Sequence, residues 1–393
     1  MEFRFVNHGP GGADDRKTIR SHVMKGRNSG KTHVSRGRAG RKREARDEPA
    51  PPPRDTVATF RRMVGNGLST CSPGAELSPH DRLLFHQRKQ PCNIARRGLS
   101  GPQGTSDQTI ALVCMLVCQE SIRGDLEKYK THLLGLARMV ELRGGIHALK
   151  EKDDVIHKTC RADIQYALHA GTPPLYSYDS VPQRVAQRVS QYEACSQRPL
   201  PAAFSAAELS TRQAVRGLDD ISILLAGCGP EWKLTAHEYS ATILSVGYRM
   251  LRVRGHGSRG LDATQDACVL GALCFYSSLL LQLGRRRHLV YAELSRRLKA
   301  SLDGLLDGCR RPRSRSTVVW LLVMGAVSVF EEKDDVWLLP ALARVSGLAG
   351  LGNWGEVCRV LEEYPWIASI HNGPGERVWN RVGLYCQVID TTQ

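Results

Sequence analysis

Residues 125–143 read DLEKYKTHLLGLARMVELR. Apolar side chains recur in this stretch at spacings of three and four residues, which places them on one face of an α-helix. Asp125 lies where a helix start favours negative charge, Arg143 lies where a helix end favours positive charge, and Gly144 and Gly145 then supply a stop. The stretch therefore predicts an amphipathic helix that packs against other helices. Its apolar face consists of Leu126, Tyr129, Leu133, Leu136, Ala137 and Val140.

The helical pattern continues over the rest of the chain from about residue 108. The first segment, 109–120, is almost entirely apolar and predicts a central helix. Strand-like alternation is scarce, and no Asn-Gly turn joins two β-branched runs. These features predict an all-α fold, either an irregular helical bundle or a stack of helical hairpins. The further predicted helices are 203–226, 235–252, 264–283, 287–304, 317–330 and 353–363.

Composition divides the chain into three parts. Residues 1–58 are rich in Gly, Arg, Lys, Ser and Pro and poor in large apolar residues. They predict a disordered basic arm, because such a segment buries too little surface to offset the entropy lost on ordering. Residues 59–107 are mixed and predict a linker with short helices, and residues 108–393 predict the helical domain.

The chain is strongly basic, with 393 residues, 55 Lys and Arg, 39 Asp and Glu, and a formal net charge of +16. Residues 1–55 hold 14 Lys and Arg and 7 Asp and Glu, so the arm is several times more basic per residue than the rest. Proteins this basic commonly contact a polyanion, most often nucleic acid.

Within the arm, residues 35–46 read SRGRAGRKREAR. This cluster favours a nuclear-import signal first and non-specific contact with phosphate groups second. A solvated tail that aids solubility is the simplest alternative. The residues predicted to serve import or polyanion contact are Arg36, Arg38, Arg41, Lys42, Arg43 and Arg46.

The 12 cysteines lie between Cys71 and Cys386, mostly in apolar runs, and the sequence contains no Cys-x₂-Cys pair and no Asn-x-Ser/Thr acceptor. We therefore expect reduced thiols and a reducing compartment, the nucleus or alternatively the cytoplasm. Cys114 and Cys118 would share one helix face and could form half of a metal site. Core packing is the simpler interpretation, because no second pair completes the site.

Two long apolar stretches, 267–284 and 318–330, are candidates for membrane-spanning helices. The first is interrupted by Ser and Gln, and the second is too short to span a bilayer. Both predict buried helices, and no membrane partner is expected.

The strings that mark common enzymes do not occur: there is no Gly-x-Ser-x-Gly, no His-Glu-x-x-His and no P-loop. Residues 255–260, GHGSRG, match the dinucleotide pattern Gly-x-Gly-x-x-Gly. The preceding residues, YRMLRVR, are typical of a helix rather than a buried strand, and no acidic residue follows at the required distance. We expect a loop between helices there, no catalytic activity and no cofactor.

A second group of basic residues lies in the carboxyl-terminal half. A solvated surface is the simplest interpretation, and a second polyanion contact is the alternative. The group comprises Arg285, Arg286, Arg287, Arg296, Arg297 and Lys299, followed by Arg310, Arg311, Arg313 and Arg315.

Several short stretches follow one another in an informative order: FVN (5–7), IRSHVM (19–24), YKTHLLGLARMVELRGGIHAL (129–149), VVWLLVMGAVSV (318–329) and NWGEVCRVLEEYPW (353–366). In this order they resemble elements of fungal transcription-factor-like proteins, the longest one being similar to the most recognisable part of their regulatory domain. The resemblance implies that 108–393 is a helical regulatory domain.

The sequence departs from that family in one respect. Full-length members carry a six-cysteine binuclear zinc cluster in a basic amino-terminal region, and this sequence has no cysteine before Cys71. The resemblance therefore implies a nuclear transcription-regulator-like protein that binds a protein partner or an effector but lacks its own zinc-dependent DNA reader. The alternative is a helical interaction scaffold with no role in transcription. The sequence leaves the oligomeric state open.

Overall fold

A computed structural model of the chain describes residues 105–149, 153–192, 199–201, 204, 207–227, 233–255, 261–280, 291–307 and 312–392. Within these residues the chain forms α-helices and two short 3₁₀ helices, with no β-strand, so the prediction of an all-α fold is confirmed. The α-helices are α1 (Asp107–Arg123), α2 (Leu126–Leu142), α3 (Asp153–Ala170), α4 (Gln183–Gln191), α5 (Leu209–Gly227), α6 (Ala236–Gly255), α7 (Ala263–Leu279), α8 (Ala292–Asp307), α9 (Pro312–Ser328), α10 (Asp335–Leu348), α11 (Trp354–Leu361) and α12 (Ala368–Thr392).

The amphipathic stretch of residues 125–143 forms α2, with the ends that the sequence predicts. The carboxylate of Asp125 accepts a hydrogen bond of 3.1 Å from the backbone N–H of Lys128 and so caps the helix start. At the other end, Gly144 and Gly145 both have φ of +94°, and the N–H of Gly145 donates to the carbonyl of Val140 over 2.9 Å. This is the glycine-dependent termination that left-handed backbone geometry allows.

Arg143 joins the end of α2 to the start of α1. Its guanidinium forms an ion pair of 2.9 Å with Asp107 and donates a hydrogen bond of 2.8 Å to the carbonyl of Thr105. On the buried side of α2, the phenol of Tyr129 donates to the carbonyl of Ala162 in α3 over 2.7 Å. The first three helices therefore pack as one unit.

The centre of the fold lies in α7 and α9 rather than in the segment 109–120, for which the sequence favours the central position. That segment forms most of α1, where Leu112 and Met115 are only half-buried. In contrast, α7 is buried on nearly all sides, and the residues from Val318 to Met324 in α9 are almost fully buried. Helices α8 and α6 flank α7, while α10, α11 and α12 pack against α9.

The apolar stretches 267–284 and 318–330 supply these two central helices, so their described parts are buried helices as predicted. None of the described helices is long and apolar enough to cross a membrane.

Four helices, α3, α4, α10 and α12, are not identified by the apolar pattern of the sequence. Proline explains two of them, because Pro340 and Pro374 lie inside α10 and α12. In α12 the tripeptide 373–375, Gly-Pro-Gly, is typical of a turn. The helix continues through it, and the ring of Trp354 packs against Gly375, where a Cβ atom would lie 2.6 Å from the indole.

The basic arm, nearly all of the predicted linker and the loop residues 256–260 lie outside the described residues. The residues preceding that loop, 248–254, belong to α6, which agrees with the predicted helix and excludes a strand at that place.

Candidate functional site

The start of α5 and the end of α6 border a cavity of about 1060 Å³. Helix α5 packs against α6, and α6 packs in turn against α3 and α7, so the cavity lies on one side of the bundle. Its lining also includes Asp179 from the segment between α3 and α4, Leu200, and Leu261 just before α7. We refer to this cavity as the α5–α6 groove.

The polar side of the groove in α5 has a regular spacing. Glu208, Arg212, Arg216 and Asp220 follow one another at intervals of four residues and all line the groove. Glu208 immediately precedes α5, and side chains four residues apart lie on the same face of a helix, so one stripe along α5 and its preceding residue carries two arginines between two carboxylates. The sequence contains this spacing, but the apolar pattern that predicts a helix at 203–226 does not reveal it.

Helix α6 contributes two further arginines, Arg249 and Arg252. Arg249 is held in place, because its guanidinium donates hydrogen bonds of 2.6 and 3.1 Å to one carboxylate oxygen of Asp179. On α5, Arg216 lies 3.8 Å from the buried carboxylate of Asp219 and also interacts with Asp220. Two of the four arginines in the groove therefore have carboxylates beside them.

Arg212 and Arg252 differ from these two arginines. Both are exposed, both line the groove, and within the described part of the chain neither forms an ion pair or a hydrogen bond. A guanidinium carries five N–H donors in a planar fork that suits carboxylate and phosphate groups. These two residues can therefore bind an anion without first breaking an internal contact.

Asp220 is the carboxylate whose proton affinity the fold changes most clearly in this groove. The pKa of Asp220 is raised from 3.8 to about 6, chiefly by partial burial and in part by the negative charge of Asp219, while Arg216 opposes the shift. The charge of this side chain therefore changes within a mildly acidic range of pH.

The groove also has an apolar side. Leu200, Val253 and Leu261 are half-buried, Ala214 is buried, and Leu209 at the start of α5 is 61% exposed. Polar and charged residues make up most of the lining, and these five supply its apolar part. The α5–α6 groove is thus suited to a ligand that is both anionic and partly apolar.

A buried carboxylate beneath the groove fixes the segment that carries Asp179. Asp163 of α3 is almost fully buried and accepts hydrogen bonds from the backbone N–H groups of Leu175 and Tyr176, at 2.8 and 3.0 Å, and from the phenol of Tyr248, at 2.9 Å. Burial raises the pKa of Asp163, and these three hydrogen bonds oppose the shift.

The same segment is attached a second time by Ser245 of α6, whose hydroxyl accepts a hydrogen bond of 2.8 Å from the N–H of Ser180. Asp179 therefore approaches Arg249 from a backbone that is bonded to both α3 and α6.

Ser278 and His371 are in contact, as a catalytic serine and its general base would be. Nδ1 of His371 accepts a hydrogen bond from the N–H of Ile367 over 3.0 Å, so the neutral ring carries its proton on Nε2. Nε2 then donates to Ser278 Oγ over 2.8 Å, and that hydroxyl donates to the carbonyl of Phe275 over 2.6 Å. In this arrangement the imidazole cannot accept the serine proton, so the contact joins α7 to α12 without activating Ser278 as a nucleophile.

The cysteine pair of α1 lies as the sequence suggests, on one helix face, with Cys114 buried and Cys118 half-buried. Their thiols interact with each other, which raises the pKa of Cys114 and lowers that of Cys118. Both are free thiols. Among the described residues, no three His, Cys, Asp or Glu side chains lie together in a way that could hold a metal ion.

The residues predicted for import or polyanion contact, 36–46, lie outside the described residues, so no geometry bears on them. Part of the second basic group is described, and its members contact the protein itself. Arg296 pairs with Glu293 over 2.7 Å, Lys299 lies 4.8 Å from the ring centre of Trp337, and Arg315 donates to a backbone carbonyl over 2.6 Å. For these described members, the contacts favour a solvated, internally paired surface over a second polyanion site.

Comparisons with known proteins identify no relative of this chain. No protein-family profile matches the sequence, and neither a curated protein nor a solved structure is significantly similar to it. The resemblance to fungal transcription-factor-like proteins therefore stays a prediction from the motifs alone.

Proposed function

We propose that this chain is a transcription-regulator-like protein whose helical domain binds an effector in the α5–α6 groove and acts through a protein partner. The basic arm would mediate nuclear import and non-specific contact with nucleic acid, through the cluster within residues 35–46. The proposed location is the nucleus. No zinc-cluster cysteines precede Cys71, so the partner would supply sequence-specific DNA contact.

One observation carries the effector-binding part of this proposal: Arg212 and Arg252 line a cavity of about 1060 Å³ without an internal partner in the described part of the chain. An exposed arginine is stable in water without a partner. Two such arginines beside the apolar walls of one cavity, however, form a positively charged surface that an anionic molecule can neutralise. The neighbouring Arg249 is already paired with Asp179, so it is less available to a ligand than Arg212 and Arg252.

Binding without catalysis is favoured by the chemistry of the groove. Among the described residues that line it there is no histidine or cysteine that could activate Ser210 or Thr211 as a nucleophile. The Ser278–His371 contact lies outside the groove lining and carries its proton on the wrong nitrogen for nucleophile activation. A regulator, rather than an enzyme, is the function that these residues support best.

Chromatin immunoprecipitation of the full chain, carrying an epitope tag, tests the role in transcription. We expect enrichment at a limited set of promoters, which should fall when a partner that reads DNA is depleted. Uniform background occupancy, together with recovery of the same protein partners in cytoplasmic extracts, would favour the alternative function, a helical interaction scaffold with no role in transcription.

A further inference from the structure

The α5–α6 groove combines charge and apolar surface in a way that indicates the class of its ligand. We propose that it binds a small organic acid, a carboxylate attached to an apolar body of about the size of a bicyclic ring. This inference rests on the proposed function in one respect, since it takes the groove to be the effector site.

The charge of the groove indicates an anion. The arginines of the lining are Arg212, Arg216, Arg249 and Arg252, and the carboxylates are Asp179, Glu208 and Asp220. Asp179 is engaged by Arg249, and Asp220 interacts with Arg216, which leaves Glu208 as the carboxylate nearest in sequence to Arg212. No ion pair joins Glu208 to either Arg212 or Arg252, so positive charge remains in excess at these two arginines.

A carboxylate fits this excess better than a bare inorganic ion. Arginine binds carboxylates in a bidentate manner through parallel N–H···O bonds. Inorganic phosphate would use the same donors but would leave Leu209, Val253 and Leu261 facing water. An apolar body attached to the carboxylate covers those side chains and gains the free energy of removing them from solvent.

The size of the groove favours a small molecule over a polypeptide segment. Its volume, about 1060 Å³, slightly exceeds the range of roughly 300–1,000 Å³ that is usual for small-molecule sites. From Glu208 to Asp220 the stripe spans twelve residue intervals, which is about 18 Å at 1.5 Å per interval. A two-ring carboxylate can contact the arginines and the apolar wall at the same time within that length.

Gly217 offers a way to close the groove without changing its charge. It lines the cavity from the middle of α5, and a Cβ atom placed there would have Arg249 Nη1 as its nearest neighbour, at 4.0 Å. A leucine at this position would therefore extend into the groove rather than into the helix packing. Gly217→Leu should block binding while leaving the fold intact.

The test is calorimetric titration of the full chain with 2-naphthoate. The neutral amide of the same shape, 2-naphthamide, and inorganic phosphate serve as comparison ligands. We expect saturable binding of 2-naphthoate with at least about tenfold weaker binding of each comparison ligand. Equal affinity for 2-naphthamide would overturn the role of the arginines, and equal affinity for phosphate would overturn the role of the apolar wall.

Variants then locate the site. The double variant Arg212→Gln, Arg252→Gln and the single variant Gly217→Leu should each weaken 2-naphthoate binding by about tenfold or more. Glu208→Gln should strengthen it by roughly twofold, because an exposed competing carboxylate is removed. Arg377→Gln on α12, an exposed arginine without an internal partner in the described residues, is the matched control and should bind as the unaltered chain does.

Thermal unfolding of each variant separates loss of the site from loss of the fold. If the double variant unfolds early, Gly217→Leu and Glu208→Gln still decide the question. Unchanged binding in Gly217→Leu, or the absence of any saturable binding to the unaltered chain, would overturn the proposal. Promoter occupancy is measured separately, so a chain that occupies promoters but binds no organic acid would contradict this inference alone.

Discussion

The phenol of Tyr248 in α6 donates a hydrogen bond of 2.9 Å to the carboxylate of Asp163 in α3, and both groups are almost fully buried. This contact joins α3 to α6. The other two donors to Asp163 are the backbone N–H groups of Leu175 and Tyr176. These two residues belong to the segment that also carries Asp179, the partner of Arg249.

Removal of this hydrogen bond should destabilise the protein. We expect Tyr248→Phe to lower the free energy of unfolding by about 1–3 kcal/mol, because it leaves a buried carboxylate with one donor fewer. Urea denaturation followed by circular dichroism measures the change. Tyr385→Phe is the control, since Tyr385 is half-buried and makes no hydrogen bond within the described residues; its effect should stay within about 0.5 kcal/mol. Equal effects of the two variants would mean that the Asp163 contact contributes nothing.

The contact between α7 and α9 leaves no room for a side chain at Gly271. A Cβ atom there would lie 2.4 Å from Leu321 Cδ2 and 2.7 Å from the ring of Trp320. We expect Gly271→Ala to destabilise the protein by about 1–3 kcal/mol, since the two central helices would have to separate.

Gly304 in α8 is the matched control for this substitution, because a Cβ atom there would meet nothing within 4 Å. Gly304→Ala should stabilise the protein by about 0.5–1 kcal/mol through helix propensity. Opposite signs of the two changes in urea midpoint are the expected result. A stabilising Gly271→Ala would show that α7 and α9 are not in close contact.

The buried imidazole of His371 should make the protein sensitive to acid. Burial lowers the pKa of His371 from 6.5 to about 3, so the ring stays neutral in the folded state while it takes up a proton in the unfolded state. The stability that depends on the neutral ring is fully present above about pH 6.5 and is lost as the pH falls from there toward about 3.

Between about pH 7.5 and about pH 5 this effect amounts to about 2 kcal/mol, at 1.36 kcal/mol per pH unit below the unfolded pKa. Asparagine at position 371 can still accept the hydrogen bond from Ile367 but cannot be protonated. Between the same two pH values, the free energy of unfolding of His371→Asn should therefore fall by about 2 kcal/mol less than that of the unaltered chain. Parallel pH profiles of the two proteins in urea denaturation would rule out His371 as the acid-sensitive group.

Nuclear import should depend on the basic cluster of the arm. We expect the triple substitution of Arg41, Lys42 and Arg43 by alanine to shift a fluorescent fusion of the chain from the nucleus to the cytoplasm, because import signals are read through clustered positive charge. A control with the same loss of charge replaces Arg16, Lys17 and Arg20, which lie in the same arm outside the cluster. Nuclear accumulation of the Arg41–Arg43 variant would exclude this cluster as the signal.

The sequence predicts the helices whose apolar positions repeat regularly and whose ends carry ordinary signals. In α2, for example, the apolar stripe, the cap at Asp125 and the stop at Gly144 all appear in the structure. Helices α10 and α12 are not apparent in the sequence, because each contains a proline and α12 also contains two glycines beside it. The packing of Trp354 on Gly375 is a tertiary contact that no local pattern in α12 reveals.

The candidate site is harder to find from the sequence. The four-residue spacing of Glu208, Arg212, Arg216 and Asp220 is legible in α5, but the spacing alone is also typical of an ordinary solvated helix face. What distinguishes this face is the approach of Arg249 and Arg252 from a helix more than thirty residues further along the chain. That approach depends on how α5 packs against α6, which no local pattern reveals.

The proposal that the groove controls a regulatory activity is tested most directly by a reporter measurement. The full chain is fused to an unrelated DNA-binding domain, and transcription from a reporter gene with matching sites is compared for the unaltered chain, the Arg212→Gln, Arg252→Gln variant and the Arg377→Gln control at equal protein levels. We predict that the fusion changes reporter transcription relative to the DNA-binding domain alone, that the groove variant removes this change, and that the control retains it. Reporter transcription that is the same for the groove variant and the unaltered chain would show that the groove has no part in regulation.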